Sequence, residues 1–256
     1  MIAPMANPSA KTEHVGIARA GTEGIAALSA VEAAALETEI AAQGFARLPQ
    51  LLPGETCHEL IALYASTDNF RSRVVMARHG YGSGEYKYFS YPLPGIVADL
   101  REQLYPVLAI IANRWQQQLN SDLLYPSTHG AYLESCHAAG QTRPTPLLLR
   151  YEAGDFNCLH QDIYGEHVFP LQVAILLSQP GADFAGGEFI LTEQRPRRQS
   201  RASVVPLSQG DAVIFPVRER PIAGSKGFYR GQMRHGVSQV RSGLRYTLGV
   251  IFHDAA

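Results

Sequence analysis

The stretch LHQDIYGEH, residues 159–167, concentrates three side chains that could bind a metal ion: His160, Asp162 and His167. Side chains two positions apart on an extended strand point to the same face, so His160 and Asp162 could supply two ligands to one ion. The spacing of His167 fits no second ligand on that face, and we expect this residue in the turn that follows. Two ligands do not make a site, so a third must come from a distant part of the chain.

The best candidate for the third ligand is His235, in MRHGVSQV. We predict that it lies at the start of the penultimate strand, because a loop rich in turn-forming residues precedes it. Two imidazoles and one carboxylate on one face, with the other coordination positions open, favour a non-haem Fe(II) ion. Zinc held by two histidines and one aspartate is an alternative, and so is a pair of surface polar residues that binds no metal.

A second cluster of possible ligands, His129, Cys136 and His137, lies in HGAYLESCH. No segment that carries a carboxylate mirrors this cluster. We therefore do not expect a metal there.

An arginine and a threonine follow His235 at a spacing that also suggests a site. Arg245 and Thr247 are two positions apart in SGLRYTLGV, so their side chains can face one interior together. An arginine that points into a β core is costly unless an anion neutralises it, and a guanidinium can grip a carboxylate through two parallel hydrogen bonds. We expect a bound carboxylate, the alternative being an arginine at the mouth of a barrel that pairs with a carboxylate of the protein.

The remaining sequence indicates a β core with helices before it. We expect residues 1–24 to be a disordered tail and residues 25–256 to be one domain, with helices and some strands in 25–143 and the core in 144–256. From residue 144 onward, short β-rich runs alternate with glycine and proline, which is typical of a sandwich or barrel. The predicted fold class is therefore α+β with a mainly β core and the N-terminal helices packed on one side.

The composition narrows the setting of the protein. The chain has 256 residues, a net charge of −1 and three cysteines without a CxxC pair, which indicates neither a polycation nor a disulfide framework. The N-terminal residues lack the layout of a signal peptide, and no apolar run is long enough for a membrane span. We expect a cytoplasmic protein that does not bind membranes.

One region is strongly basic. Between Glu193 and Arg234 there are nine basic and three acidic residues, and we interpret QRPRRQSR and VRERPIAGSKGFYRGQMR as loops beside the strands of the site. Such loops could contact a nucleic-acid backbone or an anionic small substrate, or they could be ordinary solvated surface. The candidate substrate contacts are Arg195, Arg197, Arg198, Arg201, Tyr229 and Arg230. The segment 80–89, GYGSGEYKYF, could similarly be a substrate lid or a plain glycine turn between two strands.

Several motifs in this order resemble the iron(II)- and 2-oxoglutarate-dependent oxygenases. These are YEAGDFNCLHQD, GGEF, GDAVIF, His235 and RYT, and the resemblance covers residues 144–254. It implies a double-stranded β-helix, or jelly roll. It also implies that His160, Asp162 and His235 bind Fe(II) as the catalytic metal. Further, it implies that Arg245 binds the distal carboxylate of 2-oxoglutarate with help from Thr247 and Tyr151.

The resemblance implies a dioxygenase that uses O2 and 2-oxoglutarate to hydroxylate a C–H bond. The wider chain is similar to a bacterial family proposed to act on alkylated nucleic acid, which suggests oxidative demethylation of DNA, possible DNA repair and single-stranded DNA or a nucleobase as substrate. The interval between His235 and Arg245 looks more like that of prolyl hydroxylases, so a protein side chain or a small metabolite is an alternative substrate. A non-catalytic, cupin-like binding barrel is the alternative from another class. The sequence does not predict the oligomeric state.

Overall fold

The computed structural model of this protein describes residues 30–256, within which there are four α-helices and fifteen β-strands. The helices are α1 (Ala30–Gln43), α2 (Gly54–Leu63), α3 (Gly95–Gln118) and α4 (His129–Ala138). The first four strands are β1 (Ala46–Leu48), β2 (Phe70–Val75), β3 (Gly82–Ser83) and β4 (Glu85–Phe89). The next six are β5 (Leu147–Tyr151), β6 (Phe156–His160), β7 (Leu171–Leu176), β8 (Phe184–Gly186), β9 (Phe189–Gln194) and β10 (Arg201–Val205). The last five are β11 (Ala212–Pro216), β12 (Glu219–Gly224), β13 (Gly227–Val237), β14 (Val240–Gly243) and β15 (Arg245–Val250).

The strands form two main antiparallel sheets. The large sheet has the order β1-β11-β7-β15-β5-β4-β2, and the small sheet has the order β10-β9-β13-β6-β3 with β12 beside β13. Strands β8 and β14 form a separate pair. From β5 onward the chain crosses repeatedly between sheets, so that sequence-distant strands such as β6 and β13 become neighbours. This is the arrangement of a double-stranded β-helix, and the predicted fold class is confirmed.

The helices cover the outer face of the large sheet. Apolar residues recur every three or four positions along α3, which gives this helix one buried face. Leu100, Leu104 and Leu108 on that face share a core with Val173 of β7 and Val250 of β15. Helix α4 was not predicted. It begins after Thr128, whose hydroxyl accepts a hydrogen bond from the Ala131 amide.

The prediction that VRERPIAGSKGFYRGQMR is a loop is wrong. The segment forms the hairpin of β12 and β13, in which Gly224 pairs with Gly227 across the turn. Its glycines and charged residues suggested a loop, but most of the polar side chains lie on the solvent face of a strand whose buried positions alternate with exposed ones. His235 consequently lies near the end of the eleven-residue strand β13, not at the start of the penultimate strand, which is β14.

Strand β6 ends at His160, so Asp162 does not share its strand as predicted. Asp162 lies in the irregular segment that follows. The carboxylate therefore depends on that segment for its position, and not on the alternation of a strand.

The segment 80–89 joins the two sheets. Gly82 and Ser83 pair with Asn157 and Phe156 of β6 in the small sheet, and β4 then pairs with β2 and β5 in the large sheet. Gly82 has a φ of 130°, and a Cβ there would lie 2.4 Å from the carbonyl oxygen of Phe156. Only glycine fits this approach of two backbones.

The predicted tail, residues 1–24, lies outside the described residues, and the single domain over 25–256 stays a prediction. No helix in the part of the chain described here is long and apolar enough to span a membrane.

A buried ion pair connects helix α3 to the segment that follows β15. The Arg101 Nη2 atom of α3 donates to Asp254 Oδ1 at 2.9 Å, and the two side chains are 1% and 0% exposed. Tyr91 and His137 add hydrogen bonds of 2.8 Å and 2.9 Å to Asp254 Oδ2. Burial alone would raise the pKa of Asp254, but Arg101 and these hydrogen bonds outweigh burial and lower the pKa below its usual range.

We expect Asp254→Asn to lower the free energy of unfolding by about 3–5 kcal/mol at pH 7, because Arg101 is left buried without its anion. Urea titration measures this loss. The matched control Glu219→Gln removes the exposed Arg230–Glu219 pair and should cost no more than about 1 kcal/mol.

The loss in Asp254→Asn should depend on pH. Because the folded pKa of Asp254 lies below the unfolded value of about 3.9, its stabilisation is complete above that value and disappears as the pH falls through the folded pKa. The difference between wild type and variant should therefore narrow in acid. Equal stability of the two proteins at pH 7 would show that the ion pair does not fasten the helices.

Candidate metal and carboxylate site

Strands β6 and β13 place two histidines side by side. His160 and His235 are directly opposite each other in the antiparallel register, and their ring centroids are 4.2 Å apart. The Nδ1 atom of His160 donates to the carbonyl oxygen of Cys158 at 2.8 Å, so Nε2 is the ring nitrogen that faces Asp162. His235 packs against Phe215 at a centroid distance of 4.7 Å.

Asp162 completes the group from the segment after β6. Its Oδ1 atom lies 3.5 Å from Nε2 of His160, and its Oδ2 atom lies 3.3 Å from Nε2 of His235. The three ligand atoms lie within 4.8 Å of one another, and among residues 30–256 this is the one such group of histidine, cysteine and acidic side chains. Two imidazoles and one carboxylate on one side fit a divalent ion with open coordination positions.

The electrostatics of Asp162 and His235 suit a cation. Burial alone would lower the pKa of His160, but the hydrogen bond and charge of Asp162 outweigh burial and raise it. Burial alone would raise the pKa of Asp162, but hydrogen bonds from His160 and His235 outweigh it and hold the pKa well below its usual range. Burial, together with the nearby His160, lowers the pKa of His235. An ionised carboxylate and a neutral imidazole are the forms that bind metal ions.

The other candidate ligands lie elsewhere. The backbone amide of His167 donates to Gln141 Oε1 at 2.7 Å, and His167 is outside the metal-binding group. His129 contacts the carbonyl oxygen of Phe252 at 2.9 Å, and His137 pairs with Asp254. Cys136 is a buried free thiol.

Arg245, at the start of β15, is fully buried. Its Nη1 atom donates to Thr247 Oγ1 at 2.6 Å, whereas its Nε atom has no hydrogen-bond partner. None of the ion pairs in the described part of the chain involves Arg245, so the alternative of a protein carboxylate is not observed. Burial lowers the pKa of Arg245 to about 10, and the group is still cationic at neutral pH. Gly187 leaves room for it, because a Cβ there would lie 2.8 Å from Arg245 Cδ.

Tyr151 lies opposite Arg245 in the register of β5 and β15, with its ring centroid 5.6 Å from the guanidinium carbon. Its hydroxyl accepts a hydrogen bond of 3.3 Å from Asn157 Nδ2. Asn157 lines the cavity described next, whereas Tyr151 does not. Sequence reasoning missed Asn157, although it stands on β6 three residues before His160.

A cavity of about 510 Å³ between the two sheets connects these groups. The metal-binding group, Arg245 and Thr247 all line it. The aromatic residues in its wall are Tyr81, Tyr86, Tyr88, Tyr164, Phe189 and Phe215. Sequence reasoning missed Tyr86 and Tyr88, although their alternation in EYKYF indicates one shared strand face.

The six predicted substrate contacts do not line this cavity. Arg195 pairs with Glu193 at 2.6 Å, and Arg230 pairs with Glu219 at 2.8 Å. Tyr229 and Arg230 belong to β13 and not to a loop. Of the six predicted contacts, three arginines are exposed and form no ion pair with a described carboxylate: Arg197 and Arg198 in the β9–β10 turn and Arg201 at the start of β10.

Comparison with known proteins identifies a family to which the chain is similar. A family model described as "Oxygenase, catalysing oxidative methylation of damaged DNA" matches residues 84–255, more than half of the chain. Two uncharacterized proteins of Mycobacterium tuberculosis, MT2286 and Rv2227, are each 51% identical over 168 residues, which cover 66% of this chain and 72% of theirs.

Two solved structures show a weaker likeness. A prolyl-4-hydroxylase from Pseudomonas putida has 14% identity and a TM-score of 0.48, covering 88% of this chain and 100% of its own. An oxidoreductase of the 2OG-Fe(II) oxygenase family from Burkholderia pseudomallei has 16% identity and a TM-score of 0.47, with coverages of 89% and 93%. At these scores the likeness adds nothing to the strand order described above.

The family match spans β4 to β15 and includes the metal-binding group and Arg245. A non-catalytic binding barrel is thereby excluded. The chain belongs to this oxygenase family.

Proposed function

We propose that His160, Asp162 and His235 hold one Fe(II), that Arg245 and Thr247 hold the distal carboxylate of 2-oxoglutarate, and that the enzyme oxidises an alkyl group on damaged single-stranded DNA. The observation that carries the cofactor part is Arg245. A buried guanidinium without an anion is unfavourable, and here it lines the same cavity as three metal-binding side chains. A short diacid could bind the Arg245 guanidinium through one carboxylate and the metal through the other.

The residues of the site have separate roles in binding the cofactors. Arg245 neutralises one carboxylate and Thr247 orients the guanidinium through its hydroxyl. Tyr151, through its ring against the guanidinium, keeps Arg245 in place. The apolar wall formed by Phe189 and Phe215 limits the access of water to the metal-binding group.

When they are bound, iron, 2-oxoglutarate and O2 supply an oxidant that inserts one oxygen atom into a substrate C–H bond, while 2-oxoglutarate becomes succinate and carbon dioxide. On an N-methyl group the product is a hydroxymethyl amine, which loses formaldehyde. The outcome for a methylated base is therefore removal of the methyl group, as the sequence-based prediction of oxidative demethylation requires.

DNA as the substrate is supported by the family description and by the rim of the cavity. Tyr81, Leu159 and Ile163 line the cavity and are 51%, 45% and 44% exposed. Exposed aromatic and apolar side chains at an opening suit the stacking of unpaired bases. The exposed Arg197, Arg198 and Arg201 would then contact phosphates along the DNA strand. They lie at the end of the small sheet where β6 leads into the segment with Asp162.

The cytoplasm stays the predicted compartment. Its support is that Cys57, Cys136 and Cys158 are free thiols, which suits a reducing environment.

The substrate class is tested by succinate formation. Methylated single-stranded oligonucleotides should raise succinate production above the uncoupled rate and release formaldehyde, and the same oligonucleotides without the methyl group should not. Stimulation by peptides or by free amino acids instead would favour the alternative hydroxylase of a protein side chain or metabolite.

The metal prediction concerns the three ligands. Wild-type protein should bind about one Fe(II), and His160→Ala, Asp162→Ala and His235→Ala should each abolish turnover while the circular dichroism spectrum and melting temperature remain near those of the wild type. His167→Ala is the matched control and should keep both metal and activity. Activity in His235→Ala together with inactivity in His167→Ala would reverse the assignment.

The cofactor prediction concerns Arg245. Arg245→Met should weaken 2-oxoglutarate binding about ten- to a hundredfold, because a hydrogen-bonded charge contributes roughly 1.5–3 kcal/mol. The variant without cofactor should be at least as stable as wild type, because the buried unpaired charge is gone. Thr247→Val should weaken binding less, and Tyr151→Phe, which keeps the ring beside the guanidinium, less again. Unchanged cofactor affinity in Arg245→Met, measured by calorimetry, would contradict the assignment.

The DNA-binding prediction concerns the β9–β10 turn. Binding of a single-stranded oligonucleotide should weaken with salt, with a log–log slope of about −0.7 for each phosphate contact. Replacing Arg197, Arg198 and Arg201 by serine should reduce the steepness of that slope without affecting iron binding. Arg241→Ser, an exposed arginine on β14, is the control and should leave the slope unchanged. Salt-independent binding of wild type would show that the turn is ordinary solvated surface.

A further inference from the structure

The cavity has two chemically different ends. On β15 the inward-facing positions Arg245, Thr247 and Gly249 line it, and on β7 Ala174 and Gln172 line it. Gly249 pairs with Ala174 and Thr247 with Leu176, so Gln172 lies about six residues along the strands from the level of Arg245. At about 3.3 Å per residue this is roughly 20 Å. A five-carbon diacid anchored at Arg245 is too short to reach Gln172.

One aromatic ring connects Gln172 to the metal-binding group. Gln172 pairs directly with Phe215 in the register of β7 and β11, and the ring of Phe215 is 4.7 Å from that of His235. On the other side Tyr164 donates a hydrogen bond of 2.8 Å to Asp162 Oδ1. A group bound between Gln172 and the metal would therefore be next to the oxidising centre.

Gln172 carries a polar atom that the protein does not satisfy. The side chain is 4% exposed, and its Oε1 atom has no hydrogen-bond partner among the described residues. Leaving a buried acceptor unsatisfied is unfavourable, and a ligand that donates an N–H to it would remove that cost.

Three tyrosine rings in the wall of the cavity suit a flat ring as ligand. Tyr88 and Tyr86 are in edge-to-face contact at 5.3 Å, and Tyr88 and Tyr164 at 6.2 Å. The hydroxyl groups of Tyr88 and Tyr164 are 3.1 Å apart and hydrogen bond to each other. The protons of these two hydroxyls are used within the protein, and Gln172 supplies a buried acceptor that is unpaired among the described residues.

We propose that this end of the cavity receives the damaged base itself, as a planar ring whose exocyclic amine donates to Oε1 of Gln172. The inference rests on the proposed function and narrows it to bases that carry an amine. It makes Gln172 a specificity-determining residue that neither the metal nor 2-oxoglutarate requires.

Two methylated pyrimidines serve as probes. They differ at the exocyclic position and also in charge, because 3-methylcytosine is a cation near neutral pH, so the role of Gln172 is taken from the change in preference between wild type and Gln172→Met. A 3-methylcytosine carries an amine at the ring position where 3-methylthymine carries a carbonyl oxygen, and the methyl group is on the same ring nitrogen in both. A site that hydrogen bonds a donor rejects an analogue that lacks it, because its own polar atom then stays unpaired.

The experiment compares single-stranded oligonucleotides that contain one or the other base. Wild type should prefer 3-methylcytosine by about tenfold or more in kcat/KM for formaldehyde release, and the preference should also appear in anaerobic binding measured by fluorescence anisotropy. Gln172→Met, which keeps the length of the side chain, should lose most of that preference by losing activity on 3-methylcytosine. Leu147→Met changes an apolar residue in the same wall and should keep the preference.

The outcomes separate the two levels of the proposal. If neither oligonucleotide is oxidised or bound, the proposed function fails, and the assignment of Gln172 fails with it. If wild type and Gln172→Met oxidise both with the same ratio, only the assignment of Gln172 is overturned. Loss of Fe(II) or 2-oxoglutarate binding in Gln172→Met would also overturn it, because the residue would then serve the cofactors. Should that variant not fold, the absence of a preference in wild type alone would contradict the inference.

Discussion

The site depends on the pairing of β6 with β13 in one register. This pairing sets His160 against His235, although 74 intervening residues separate them in the sequence. A slip of one residue would turn one of the histidines to the opposite face of the sheet. The register is held on both sides of β13, because β9 continues the sheet with Leu191 opposite His235. The histidines are therefore placed by the most extensively paired strand of the small sheet.

Asp162 needs a different support, since no strand holds it. The segment that carries it is anchored by Gln141, a residue that is 1% exposed. The Gln141 Nε2 atom donates to the carbonyl oxygens of Tyr164 and His167, each at 3.0 Å, and to that of Asp254 at 2.6 Å. Asp254 is in turn the partner of Arg101 on α3. Buried hydrogen bonds thus connect helix α3, through Asp254 and Gln141, to the segment that carries Asp162. The N-terminal half of the described chain therefore helps to position the site.

Much of this could be predicted from the sequence, because the chemistry is carried by residue types at short spacings. The spacings of His160 to Asp162 and of Arg245 to Thr247, with His235 between them, indicated both groups, and the β-rich runs indicated the core. What failed were features that depend on neighbours in space. The hairpin of β12 and β13 was predicted as a loop because one of its faces is polar. Gln172 was not predicted, because only the sheet register shows that its amide is buried in a cavity. The helix α4 is held by contacts to Phe252 and Asp254, which are more than a hundred residues away.

We propose that Arg245 and the metal-binding group bind opposite ends of one ligand. Calorimetric titration of wild type with 2-oxoglutarate and with glutarate, each with and without Mn(II) under anaerobic conditions, tests it most directly. Glutarate has the same two carboxylates but lacks the keto oxygen. The account predicts that Mn(II) strengthens the binding of 2-oxoglutarate much more than that of glutarate, and that both ligands need Arg245. Equal effects of Mn(II) on the two ligands, or no effect on either, would contradict it.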